Sequence, residues 1–291
     1  MIAQARRRAQ QFWRLRAEAR RVLGRRGSAA PALDAIGRVD RHPVEPWNEA
    51  TSSGHLRYRE AVEVPTGTAT VMCVSCRPDR FDDVLRAVRD QVDVPVRLVF
   101  VANDDGFDVD RCRGSLRGEP YDSELLVPPP GTSLGAGLNL ALSATSTRWV
   151  AKFDDDDLYG PHHLADSLRA LSYSAAGIVG KHSYYADVVG AGERVIRFPG
   201  NEFTYSGTLA GGTLVIDRER VGGQQFADLS LGEDRAFLAA CHRRGISTFA
   251  ADRFNFVQVR AGHNTWRVPD DLYLRNTLSV DSTDPVHLVD R

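Results

Sequence analysis

Apolar and polar positions along residues 68–153 spell strands and helices by turn. TATVMCVSC (68–76) is a β-branched apolar run, RPDRFDDVLRAVRDQ (77–91) carries apolar residues at helical spacing, and VRLVFVAN (96–103) is a second apolar run. A polar loop follows, then ELLVPPP (124–130), a helix over LGAGLNLALSAT (134–145) and a strand over WVAKF (149–153). Strand, helix, strand in this order predicts an α/β fold. Its central sheet is mostly parallel, with helices on both faces and ligands at the carboxyl ends of the strands. Beyond residue 158 the pattern loosens. Gly160-Pro161 opens a helix through Leu171, AGIVGKHSYY (176–185) and ERVIRF (193–198) read as strands, and EDRAFLAACHRRG (233–245) reads as a helix. GGTLVID (211–217), ISTFAA (246–251) and FNFVQVR (254–260) are further apolar runs, and the whole half suits a wall built over the same sheet edge.

The first 26 residues follow another rule. Ile2, Ala5, Ala9, Phe12, Ala19, Val22 and Leu23 recur at helical spacing, flanked by nine arginines against the single acid Glu18. The chain is −1 overall, so this +8 segment leaves −9 for the remainder. A basic amphipathic helix of this kind suits an anionic lipid surface, and equally a solvated or oligomerising helix. The acidic remainder offers no basic groove for nucleic acid. The organisation expected is a basic helix (1–26), a connector (27–66), a nucleotide-binding half (67–157), an acceptor-binding half (158–267) and a C-terminal tail (268–291). No apolar run approaches the ~20 residues that span a bilayer, and no secretory leader pattern stands at the start. The expected location is therefore cytoplasmic, at most peripheral to the inner face of the plasma membrane. Cys73, Cys76, Cys112 and Cys241 read as reduced thiols.

The densest chemistry lies in KFDDDDLYGPHHL (152–164), where Asp154, Asp155, Asp156 and Asp157 leave a strand side by side. Two carboxylates ~4 Å apart repel by about 1 kcal/mol in water and by several times that in a protein-like dielectric. Such a cluster asks for a cation. A solvated acidic turn at a helix start is the simpler alternative. Asn103-Asp104-Asp105-Gly106 closes the second strand, a place where turn chemistry alone also puts such residues. Glu233-Asp234 heads a helix, where the dipole favours acids. Gly211-Gly212 allows close backbone approach or marks a bulge.

Taken in order, TATVMCVSCRPDR, VFVANDDG, the glycine-containing helix start ending in Asn139, FDDDDLYGP, GG-T, GEDRAF and HNTW resemble the GT-A-fold glycosyltransferases, nearest to the family 2 type, over roughly residues 68–266. The resemblance implies a Rossmann-like GT-A domain that binds Mn²⁺ or Mg²⁺ and a nucleotide-sugar donor, with UDP favoured. Asp156 and Asp154 would hold the metal, with His263 completing the set. Ser75, Arg77, Asn103, Asp104, Asp105, Asn139, Asp154 and Asp155 would contact the nucleotide. Leu138 stands where that family has arginine, which weakens the segment's claim on phosphate. Asp234 would be the general base of an inverting transfer, and Gly211, Gly212, Glu233 and Trp266 would face sugar and acceptor. The acceptor implied is a carbohydrate or lipid-linked hydroxyl in bacterial cell-surface polysaccharide or glycolipid assembly. Sugar-1-phosphate nucleotidyltransferases share the architecture, but VSCRPDRFDD lacks their glycine-rich triphosphate loop; a catalytically silent module that keeps the fold is the other alternative.

Overall fold

The computed structural model describes Arg59, residues 62–262 and residues 268–280. The basic segment 1–26, His263 and Trp266 lie outside the described residues. From residue 69 the chain forms β1 (Ala69–Ser75), α1 (Phe81–Arg89), β2 (Val96–Ala102), α2 (Val109–Arg117), β3 (Asp122–Leu126), α3 (Leu134–Ser143) and β4 (Trp149–Lys152). The four strands run parallel in the order β3-β2-β1-β4. Alternate residues of β1 and β2 feed different cores. Val71, Cys73, Leu98 and Phe100 join the cluster containing Phe81, Val84, Leu85 and Val88 of α1, whereas Met72, Val99 and Val101 join the cluster containing Leu138 and Ala141 of α3. Both faces are covered, which is why these strands read as unbroken apolar runs.

The stretch read as a polar loop after β2 contains α2. Asp108 caps it by accepting from Arg111 N, but only Cys112 and Leu116 are buried. One apolar pair four residues apart is too thin a stripe to show as a period.

The second half supplies β5 (Leu158–Tyr159), α4 (His163–Ser174), β6 (Ile178–Gly180), β7 (Tyr184–Val188), β8 (Glu193–Arg197), β9 (Thr204–Tyr205), β10 (Val215–Asp217), α5 (Arg218–Val221), α6 (Glu233–Arg243), β11 (Thr248–Ala250), β12 (Phe256–Arg260), α7 (Asp270–Tyr273) and β13 (Thr277–Val280). The large sheet continues as β4-β10-β6-β11-β9, with β10 antiparallel to both its neighbours and β6 parallel to β11. A five-stranded sheet, β13-β8-β7-β12-β5, forms beside it. The single strand expected over 176–185 is two strands in two sheets. Lys181 marks the crossing: its ammonium is buried and donates to the Asp252 carboxylate at 3.1 Å and the Asp252 carbonyl at 2.9 Å. Residues 268–280, expected in a tail, supply the strand that pairs with β8. Among the described residues no helix is long and apolar enough to cross a membrane.

Arg253 ties the second sheet to its covering loop. The side chain is fully buried, donates through Nη1 to Glu202 Oε2 at 3.1 Å and through Nε to Tyr185 Oη at 3.2 Å, and lies over the Phe254 ring at 4.3 Å. Removing one member of a buried pair leaves the other charge uncompensated, at a cost of about 3–5 kcal/mol. Glu202→Gln is therefore expected to lower the unfolding free energy by about 3 kcal/mol in urea titrations. A loss under about 1 kcal/mol would mean that the pair behaves as an exposed one.

Candidate active site

Strand β4 is buried along its whole length, Lys152 included. The chain then emerges at the carboxyl edge of the sheet and delivers the four aspartates in succession. Two cations meet them. Arg77, just past the end of β1, spans two carboxylates: Nη2 lies 2.5 Å from Asp155 Oδ1 and Nη1 lies 2.7 Å from Asp156 Oδ2. Ser75 Oγ donates to Asp155 from the strand end. Lys152 Nζ donates to Asp154 Oδ1 at 2.5 Å and stands 3.9 Å from Glu233 Oε1. Burial pulls the Lys152 and Arg77 pKa values down, but the acids around each outweigh it and hold both above their ordinary ranges. Both groups stay charged. A lysine within an apolar strand just before four acids is itself a signal in the sequence.

The remaining acids are less well compensated. Loss of water pushes Asp157 well above the usual carboxylate range, with the charges of Asp154 and Asp156 adding to it; the bond that Asp157 Oδ1 accepts from Val259 N at 3.0 Å acts the other way. Burial also raises Asp155, against Ser75 and Arg77, and Glu233, against Lys152.

A bare backbone turn faces these groups. Gly211–Thr213 form a short 3-10 turn just before β10. A β-carbon on Gly212 would lie 2.7 Å from Asp154 Oδ2 and 3.0 Å from Asp157 Oδ2, and one on Gly211 would lie 2.1 Å from Asp234 Oδ2. A side chain at either position would have to displace these carboxylates. Asp234 sits in the first turn of α6, after Gly232 in the left-handed region at φ 83°, and its Oδ1 accepts from Arg235 N at 2.6 Å. The turn thus brings Asp154, Asp157 and Asp234 to one place, with Glu233 and Lys152 buried beside them.

Among the described residues no three His, Cys, Asp or Glu side chains converge as a complete metal site. The donors present nevertheless fit a hard divalent cation. Asp154 Oδ2 and Asp157 Oδ2 meet over Gly212, they are oxygen ligands, and their neighbourhood holds uncompensated negative charge. Mg²⁺ and Mn²⁺ are commonly held by one or two carboxylates, with phosphate oxygens and water completing the shell.

At the ends of β2 and β3, Ala102–Asp105 and Val127–Gly131 line a cleft of about 120 Å³. Asn103 is fixed by Nδ2 donating to Thr132 O at 2.9 Å, and Asp104 Oδ1 accepts from Gly106 N at 2.8 Å; the Asp105 side chain is exposed. Asn139, on α3, is engaged with a neighbouring loop. Its Nδ2 donates to Phe226 O at 2.9 Å and its Oδ1 accepts from Phe226 N at 2.8 Å, so both amide atoms clamp α3 to the loop before α6.

Because Asp155, Asp157 and Glu233 have raised pKa values in the folded chain, folding favours their protonated forms. Their cost is present at neutral pH and is relieved as pH falls through the raised folded values. Asp157→Asn removes one of these charges while its Oδ1 still accepts from Val259 N. Without metal, the variant is expected to unfold at higher urea than the parent at about pH 7.5, with the gain shrinking toward about pH 5. Equal stability at the higher pH would show that Asp157 carries no electrostatic penalty.

No protein-family model matches the chain, and no curated protein sequence matches it. Solved structures do. S. aureus TarS 1-349 in complex with UDP-GlcNAc superposes with a TM-score of 0.55 at 14% identity, covering 70% of this chain and 62% of that one. The same TarS segment in complex with UDP gives 0.53, at 14% identity, over 72% of this chain and 62% of that one. The mannosyltransferase PcManGT from Pyrobaculum calidifontis, in complex with GDP-Man and Mn²⁺, gives 0.52 at 16% identity, over 81% of this chain and 68% of that one. The chain spans 62% of the TarS segment's length in both complexes. The sheet order, the acidic loop at its carboxyl edge and these superpositions together identify the fold as that of the GT-A glycosyltransferases.

Proposed function

We propose that this protein is a metal-dependent glycosyltransferase that moves a sugar from a nucleoside-diphosphate sugar, with UDP favoured, to a hydroxyl acceptor with inversion at C1. The observation that carries this reading is the Gly211–Gly212 turn, which brings acids of the β4 loop against one side and Asp234 against the other. Complexes of structural neighbours with UDP-GlcNAc, and with GDP-Man and Mn²⁺, support the same substrate class.

In this reading the nucleotide base lies in the cleft at residues 102–105 and 127–131, where Asp104 or Asp105 accepts a base N–H. Asp154, Asp156 and Asp157 supply the oxygens for Mn²⁺ or Mg²⁺, and His263 adds a ligand. A bound divalent cation would neutralise charge on the departing diphosphate. Arg77 holds Asp155 and Asp156 in place, and Lys152 holds Asp154. The two glycines let the sugar approach the backbone, with Glu233 and Trp266 toward the acceptor. Asp234 takes the proton of the acceptor hydroxyl as that oxygen bonds to C1 and the bond from C1 to the diphosphate oxygen breaks. The acceptor belongs to the carbohydrates or lipid-linked glycans of a bacterial surface, and residues 1–26 bring the enzyme to anionic lipid.

Thermal shift with UDP, GDP, TDP and CMP, each with and without Mn²⁺, tests the donor class, since a ligand that binds only the folded chain stabilises it. Absence of any Mn²⁺-dependent shift would sink the reading. Asp156→Ala is expected to abolish that shift while the chain stays folded, because Arg77 retains Asp155. Asp234→Asn is expected to bind donor normally yet lose ~10²- to 10⁴-fold in transfer. A product that retains the donor's anomeric configuration, read by NMR, would remove Asp234 from the role of inverting base. Deleting residues 1–26 is expected to spare donor hydrolysis and to lower sedimentation with anionic vesicles in a salt-sensitive way. If full-length protein fails to bind such vesicles at low salt, the lipid role is wrong.

A further inference from the structure

The aspartate loop is closed on itself by two aromatic rings. Phe153 and Tyr159 bracket Asp154–Asp157, and their rings stack with centroids 3.8 Å apart and planes 3° from parallel. Tyr159 is 8% exposed. His163 meets its ring edge-on at 5.1 Å, Phe256 lies at 5.5 Å, and the Tyr159 backbone pairs with Phe256 where β5 joins β12. Burial and the Lys181 charge push the His163 pKa down to about 3, so this partner is a neutral ring.

A ring held on all these sides leaves its hydroxyl little freedom. Tyr159 Oη accepts from Asp154 N at 2.7 Å and donates to Gly212 O at 2.7 Å. One oxygen therefore joins the backbone that carries the first aspartate to the turn that those aspartates face. Gly211, the next residue back in that turn, lies against Asp234.

We propose that Tyr159 is a positioning residue whose hydroxyl sets the spacing between the Asp154–Asp157 loop and the Gly211–Gly212 turn, and through Gly211 the place of Asp234. The functional consequence rests on the transferase reading above. Phenylalanine at this position keeps the stack and the burial but leaves Asp154 N–H and Gly212 C=O without their shared partner. Metal donors tolerate displacements of about 0.2 Å, and losing an outer partner of a metal ligand costs about 10- to 100-fold in affinity.

The test uses the full chain with Mn²⁺ and either UDP or GDP as probes. Electron paramagnetic resonance of free Mn²⁺ gives the metal affinity, and amide hydrogen exchange of the metal-free protein reports on the two segments. Tyr159→Phe is expected to bind Mn²⁺ with nucleotide about 10-fold more weakly. Its amides at 154–159 and 211–213 are expected to exchange faster together. Tyr121→Phe is the control, since that hydroxyl donates to Leu85 O at 3.1 Å on α1. It is expected to lose stability without changing Mn²⁺ affinity or exchange at the site.

Gly212→Ala strains the same spacing from the other side and is expected to weaken Mn²⁺ with Tyr159 intact. Unchanged Mn²⁺ affinity in either Tyr159→Phe or Gly212→Ala, with wild type binding normally, would overturn the positioning role and leave the transferase reading standing. If exchange at 211–213 is unmoved in Tyr159→Phe, the spacing claim falls by itself. If wild type binds neither nucleotide with Mn²⁺, the transferase reading falls and takes the functional claim with it.

Discussion

Mutual repulsion of carboxylates at the carboxyl edge of the sheet is the constraint around which the rest of this molecule is arranged. Four consecutive aspartates cannot be held there by backbone alone. The fold brings up Arg77 from the end of β1 and Lys152 from within β4, so that one cation serves Asp155 and Asp156 while the other serves Asp154 and approaches Glu233. Lys152 is fully removed from water and is held in its charged form by the acids around it, whereas the guanidinium of Arg77 is charged in any case and is stabilised there by Asp155 and Asp156. Acid and base are each unfavourable alone in that position.

The compensation stops short of neutrality. Asp157 keeps a raised pKa because burial and the charges of Asp154 and Asp156 outweigh its bond from Val259 N, and Glu233 keeps one because burial outweighs Lys152; Asp157 lies against the glycine turn. A polypeptide selected for stability alone would have amides or apolar groups there. Local electrostatic cost concentrated at a strand edge, within an otherwise consistent fold, is the ordinary mark of a site built for a ligand of opposite charge.

What could be read from the sequence divides along physical lines. Strands β1, β2 and β4 were legible because burial on both faces leaves an unbroken apolar run, and the acids at their ends stood out against that background. Helix α2 was hidden by its two-residue stripe. The change of sheet at Lys181 was hidden because a salt-bridged lysine kept the apolar pattern running on through it, and β13 because four residues carry little period. In the site, residue types such as aspartates in a row and Glu-Asp at a helix start stand out in the sequence. Tyr159 does not stand out in this way, because half of its role lies with a partner distant in the chain: it meets Gly212 across 53 positions. The bonds of Asn139 to the Phe226 backbone are likewise invisible in the sequence, since the loop that it meets lies 87 positions away.

The glycine turn also limits how this protein can diversify. Gly211 and Gly212 are each fixed by carboxylates standing where a β-carbon would go. A substitution at the centre of the site would therefore displace its acids, and change is more easily accommodated in the surrounding loops. The segment before α6 is the natural place for such change: it is pinned through Phe226 to Asn139, and through Ser133 to Asp228, while Leu229 and Leu231 stay exposed between those anchors and Asp234. Descendants of this chain would be expected to share an unvarying core of acids and glycines and to differ in the apolar character of that rim.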